Sequence, residues 1–116
     1  LFRLDRTLFH NLNKLIILNL GHNVIKYLDE KSFQNLTNLQ ILNLESNHLL
    51  EIRTVLFENL KNLRIINLQK NFLKKINFNN LSNFTFKLDE LNLAHNHLEN
   101  LSYKQFENLS IINLIN

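Results

Sequence analysis

Short apolar-polar-apolar stretches recur along this chain on one long period. Leu15, Leu18, Leu20, Asn23 and Ile25 return as Leu39, Leu42, Leu44, Asn47 and Leu49. They return again as Leu63, Ile66, Leu68, Asn71 and Leu73, and once more as Leu88, Leu91, Leu93, Asn96 and Leu98. The Asn-to-Asn steps are 24, 24 and 25 residues. The intervening halves repeat in phase: Leu28, Ile52, Ile76 and Leu101 stand five residues after their Asn. Phe33, Phe57 and Phe106 each precede Leu36, Leu60 and Leu109 by three residues, as Phe9 precedes Leu12. In the third copy Leu81 and Phe84 hold these places with identities exchanged, and one extra residue within 85–87 accounts for the longer step. A period of this length marks a solenoid, in which no unit buries its apolar face alone.

Each unit predicts one short strand. Alternation of side chains sends Leu18 and Leu20 inward and Asn19 outward, and the stacked strands form a parallel sheet with about 4.8 Å between neighbours. The Phe-x-x-Leu half returns along the opposite side and closes the core. The chain therefore reads as one array over 1–116. It consists of a partial unit at 1–14, full units at 15–38, 39–62, 63–87 and 88–111, and a partial unit at 112–116. The fifth strand starts at Ile112 in this reading, or at Leu109 after a three-residue deletion. Both ends then expose apolar edges, as expected of an internal fragment without capping units.

Two rows of Asn require different explanations. Asn23, Asn47, Asn71 and Asn96 follow the strand where the chain turns inward, and an amide there pairs backbone groups that would otherwise be buried unsatisfied. Asn19, Asn43, Asn67 and Asn92 face outward beside a second row, Ile17, Ile41, Ile65 and Glu90. An exposed apolar strip next to a polar one is a candidate protein-binding surface, and these eight residues form the candidate contact face. The outward Asn row reads as a solvated, mutually hydrogen-bonded row or, alternatively, as a polar strip contacting a partner, and Asn43→Ala is expected to leave stability nearly unchanged.

These four copies, of the form L-x-x-L-x-L-x-x-N-x-L, resemble leucine-rich repeats. The Phe in Phe33-Gln-Asn-Leu36, Phe57-Glu-Asn-Leu60 and Phe106-Glu-Asn-Leu109 is similar to that of the 24-residue typical class. The resemblance covers the whole chain and implies an α/β-type horseshoe, with a parallel concave sheet and a mostly irregular or short-helical convex side. It implies kinship with Toll-like receptor and adhesion-type ectodomains, whose members bind proteins, glycolipids or nucleic acids and often dimerise; for this chain a protein ligand or co-receptor and a homo- or heterodimer are expected. The Pro frequent in that family after the descending Leu is missing behind Leu28, Ile52 and Leu101, and there is no cysteine-bearing cap.

Composition adds less. The chain holds 22 Asn, one Gly and no Pro, Cys, Met or Trp. No apolar run is long enough to span a bilayer. Five Asn-x-Ser/Thr acceptors, at Asn35, Asn80, Asn83, Asn100 and Asn108, lie outside the strands where a glycan is tolerated. They favour an extracellular or cell-surface location over a cytoplasmic one. Between Lys61 and Lys87 six basic residues meet no acidic one. The repeat phase turns them in different directions, which argues against a nucleic-acid groove. His22, His48, His95 and His97 fall in the turns after the strands, without Cys or an ordered carboxylate set, and read as solvated rather than metal-binding. No nucleophile arrangement or phosphate loop appears, so neither an enzyme nor a cofactor is expected. The function implied is protein recognition in an extracellular receptor, adhesion or innate-immune protein. The alternative is an intracellular scaffold organising a protein assembly.

Overall fold

A computed structural model describes residues 2–76, 78, 86–99, 101 and 109–116, with backbone alone for Phe86 and 109–114. The chain forms an α/β-type repeat solenoid with seven short strands among the described residues. These are β1 (Arg3–Leu4), β2 (Ile17–Asn19), β3 (Tyr27–Leu28), β4 (Ile41–Asn43), β5 (Ile65–Asn67), β6 (Phe86–Asn92) and β7 (Leu109–Ile115). One sheet runs β2-β4-β5-β6-β7, and every neighbouring pair in it is parallel.

The repeat period sets the register directly. Leu18 lies opposite Leu42, Leu42 opposite Ile66 and Ile66 opposite Leu91. Identical phases meet because strand spacing leaves one unit no other way to cover the apolar face of the next. Backbone bonds continue past the strand ends, from Leu20 N–H to Asn43 C=O, Leu44 N–H to Asn67 C=O and Leu68 N–H to Asn92 C=O at 2.8–2.9 Å. Beneath the sheet Leu42, Leu44, Leu49, Ile66, Leu68 and Leu73 are fully buried.

The other side is built from tight turns and one 3-10 helix, Thr54–Phe57. The Phe-x-x-Leu spacing has a local cause. Leu36 N–H donates to Phe33 C=O and Leu60 N–H to Phe57 C=O, both at 3.0 Å. An i to i+3 bond brings residues three apart onto one face, so both apolar side chains enter the core. Phe9 and Phe33 stack with centroids 6.1 Å apart. β1 and β3 make a separate two-stranded parallel ladder, Arg3 opposite Tyr27 and Leu4 opposite Leu28, which the periodicity does not announce. Leu12 is 45% exposed.

In the third unit Phe78 is fully buried and stacks on Phe57 with centroids 5.8 Å apart; Leu81 and Phe84, expected on this side, lie outside the described residues. One expectation changes. At the last strand the register sets Ile111 opposite Leu88 and Leu114 opposite Leu91. The fifth strand segment therefore begins at Ile111, between the two starts expected at Leu109 and Ile112. The shortened step of 23 residues from Leu91 to Leu114 keeps Leu opposite Leu.

Candidate functional site

The face opposite the Phe side is the outer surface of the five-stranded sheet. Ile17, Ile41 and Ile65 lie in register across three strands, and Glu90 continues the row. Ile17 is 57% exposed, while Ile41, Ile65 and Glu90 are partly covered. No core contact requires aliphatic side chains at these outward positions. Arg64 makes an ion pair with Asp89 of the next unit, Nε to Oδ2 2.8 Å.

The Asn row beside it is less available than its outward direction suggests. Asn43 Oδ1 accepts from Glu45 N–H at 2.9 Å, Asn67 Oδ1 from Gln69 N–H at 3.0 Å and Asn92 Oδ1 from Ala94 N–H at 3.0 Å. Asn19 Oδ1 does the same for Gly21 N–H at 2.9 Å. Each carboxamide thus caps its own turn, as Asn does wherever its side chain reaches the amide two residues on. The amide nitrogens reach back along the stack: Asn92 Nδ2 donates to Gln69 Oε1 at 2.9 Å and Asn67 Nδ2 to Glu45 Oε2 at 3.4 Å. At the matching place in the first unit stands Gly21, with no side chain to accept, and Asn43 Nδ2 turns to Asn19 Oδ1 at 3.1 Å. The expected bond from one Asn of the row to the next is thus present between Asn43 and Asn19; beyond it, these residues organise the strand-end turns, and Asn92 is buried.

The inner Asn residues bind backbone from two units at once. Asn47 Nδ2 donates to Leu20 C=O and Leu44 C=O at 2.9 and 3.0 Å, and its Oδ1 accepts from Ile25 N–H at 3.1 Å. Asn71 repeats this with Leu44 C=O, Leu68 C=O and Leu49 N–H, and Asn96 with Leu68 C=O, Leu93 C=O and Leu73 N–H. Asn23 Nδ2 donates to Leu20 C=O at 3.0 Å. A third set escaped the sequence reading: Asn38 Nδ2 donates to Asn13 C=O and Asn62 Nδ2 to Thr37 C=O, tying each convex turn to the preceding unit.

The glycan acceptor Asn35 is half-buried on the convex side, where its Nδ2 lies 3.4 Å from His10 Nδ1. Asn80, Asn83, Asn100 and Asn108 lie outside the described residues. Among the described residues no three of His, Asp and Glu gather as a metal site, and no helix is long and apolar enough to cross a membrane. One carboxyl is held below its ordinary range. Asp5, at a convex turn, accepts from the Thr7 hydroxyl and, at 2.8 Å, from Thr7 N–H.

A second surface, on the flank just past the strand ends, was also missed. Val24, His48, Phe72 and His97 form a column there, with Phe72 centred 5.6 Å from the His48 ring and 5.7 Å from the His97 ring. The sequence did carry a signal for it, an aromatic ring in three of the four middle positions of Asn-x-Leu/Ile.

Comparison with known proteins agrees with this geometry. The model of the family described as Leucine rich repeat matches residues 1–49 and 37–86. Among solved structures the chain is similar to Toll of Drosophila in its complex with Spatzle, described as a molecular hub in development and innate immunity. That likeness has a TM-score of 0.79 at 22% identity and covers 97% of this chain. The chain corresponds to only 16% of the Toll chain's length. No curated protein matches it.

Proposed function

The chain belongs to the leucine-rich repeat family, a family of protein-interaction modules, and from that premise we propose that it is a recognition segment of an extracellular receptor, adhesion or innate-immune protein. The observation that carries this reading is the row Ile17, Ile41 and Ile65, which lies outward on a rigid sheet and serves no core. The Asn row beside it acts as framework, fixing the strand ends so that the aliphatic row keeps its shape before a partner arrives. Preorganisation of this kind lowers the ordering cost of binding. Asn35, a partly covered acceptor of glycan-sequon form on the face turned away from the proposed contact, supports the extracellular location.

Two measurements on native material test the reading. The intact mass is expected to fall on glycosidase treatment, and Asn35→Gln is expected to remove one glycan. Ile41→Asp with Ile65→Asp is expected to leave the fold intact and abolish binding of the protein that co-purifies with the native form. Unmodified acceptors throughout would favour the intracellular scaffold instead, and undiminished binding by the double variant would remove the concave face from recognition.

A further inference from the structure

One carboxylate interrupts the aliphatic row of the concave face. The row runs Ile17, Ile41, Ile65 and Glu90, one residue per strand, and Asn113 of β7 comes next in register. Glu90 N–H donates to Arg64 C=O at 3.1 Å, which fixes the residue on the same ladder as the Ile before it. Like Ile41 and Ile65, Glu90 is partly covered.

The chain offers this carboxylate no counter-charge among the described residues. The ion pairs there join Arg53 to Glu30, Arg64 to Asp89 and Lys70 to Glu45. Arg64, next in sequence to the neighbouring Ile65, thus has its guanidinium on Asp89 at 2.8 Å, and Lys70 has its ammonium near Glu45 at 3.8 Å. While the face is open, water solvates Glu90. A partner lying along the row removes that water. Burying a carboxylate without a counter-charge is costly, and burying it against a second carboxylate costs more. A partner that covers Ile65 must therefore set a cation one strand further on, about 4.8 Å along the row.

Spacing restricts the partner's backbone as well. Three strand intervals span about 14 Å. Three turns of an α-helix rise about 16 Å, close to that length. Side chains on one face of an extended segment recur at about 6.7 Å and would span about 20 Å.

On the reading that this face is the contact surface, we propose that Glu90 sets its charge specificity. The occupant is a helical segment of a partner protein, with aliphatic side chains on successive turns and a lysine or arginine on the next. A second copy of this chain does not meet the requirement. Two copies paired through the face set Glu90 against the aliphatic end of the opposite row or against the opposite Glu90, and neither supplies a cation.

The test uses the full-length protein and two fluorescein-labelled, lactam-bridged helical peptides, followed by fluorescence anisotropy. Both carry leucines on three successive turns of one face. They differ only on the turn at either end, which holds lysine in one and glutamate in the other, so that either direction of binding meets Glu90. The lysine peptide is expected to bind about tenfold more tightly than the glutamate peptide. Glu90→Lys is expected to reverse that preference, and Glu90→Gln to narrow it. Glu58→Lys, the same charge change at an exposed convex position, is expected to leave it unaltered. Ile41→Asp with Ile65→Asp is expected to abolish binding of both peptides. Urea midpoints of the Glu90 variants are expected to match that of the unaltered protein. Equal binding of the two peptides, a preference that survives Glu90→Lys, or one that Glu58→Lys alters as much would overturn the proposal. If binding still depends on Ile41 and Ile65, the concave face remains the contact surface and the role of Glu90 alone fails; if it does not, or if neither peptide binds, both fail. A dimer in sedimentation that Ile41→Asp with Ile65→Asp dissolves would assign the face to a second copy and overturn the proposal equally.

Discussion

Replacing Asn47 by Ala removes a side chain that is 2% exposed and bound to two units. The losses are unequal. Leu20 C=O keeps the Asn23 amide and Leu44 C=O keeps the Asn71 amide, so neither carbonyl is stripped. Among the described residues Asn47 Oδ1 is the acceptor of Ile25 N–H, and Ile25 itself is fully buried. An orphaned buried donor costs about 1–3 kcal/mol. The forfeited amide bonds to half-satisfied carbonyls add about 1 kcal/mol, for a total of about 2–4 kcal/mol. Asn43→Ala frees the Glu45 N–H at a partly exposed strand end, where water substitutes for the lost acceptor. A cost of about 1 kcal/mol follows, as for loss of an Asn cap. Urea unfolding followed by circular dichroism measures both variants against the unaltered protein. Asn47→Ala is expected to lower the midpoint clearly more than Asn43→Ala with the slope unchanged. Equal losses, or a larger one for Asn43→Ala, would refute the division of work between the two Asn rows.

Other consequences follow from the turns. His22, Ser46, Lys70 and His95, each just before an inner Asn, have φ of 54–58°. Ser46→Gly relieves that left-handed conformation and is expected to raise stability by about 0.5–1 kcal/mol, whereas β-branched Ser46→Val lowers it by at least about 1 kcal/mol in the same urea titration. Asp5 is held below the ordinary carboxylate range first by the Thr7 hydroxyl and then by Thr7 N–H. Its stabilising effect is complete above the unfolded carboxyl value and lost as pH falls through the lower folded value. An acid titration of thermal stability is therefore expected to show a small loss at the acid end that Asp5→Asn lacks; identical acid curves for the two proteins would contradict it.

The period alone made most of the fold legible. Leu and Phe positions repeat because every unit buries the same face, and the inner Asn stands out because only an amide serves donors and acceptors from two units together. The outward Asn row's bonds to the turns were not legible because strand alternation gives direction and says nothing of the turn two residues on, where Oδ1 finds an N–H. Phe78 was missed because it is 21 residues from Phe57, off the period that marks Phe33 and Phe57. The repeat phase of β7 was ambiguous because Leu109, Ile111 and Ile112 are all apolar, and only the pairing of Ile111 with Leu88 chooses among them. The flank was half legible: an aromatic ring recurs at His48, Phe72 and His97, but only the backbone bonds between units show that these rings and Val24 form one column.

Recognition from the concave Ile row is the central claim, and position-specific photo-crosslinking on producing cells tests it most directly. A photoreactive phenylalanine would replace Ile41, Ile65 or, on the convex side, Lys61, with adducts identified by mass spectrometry. One and the same protein adduct is expected from positions 41 and 65 and none from 61. An adduct formed at 61 with none at the two concave positions would contradict the account.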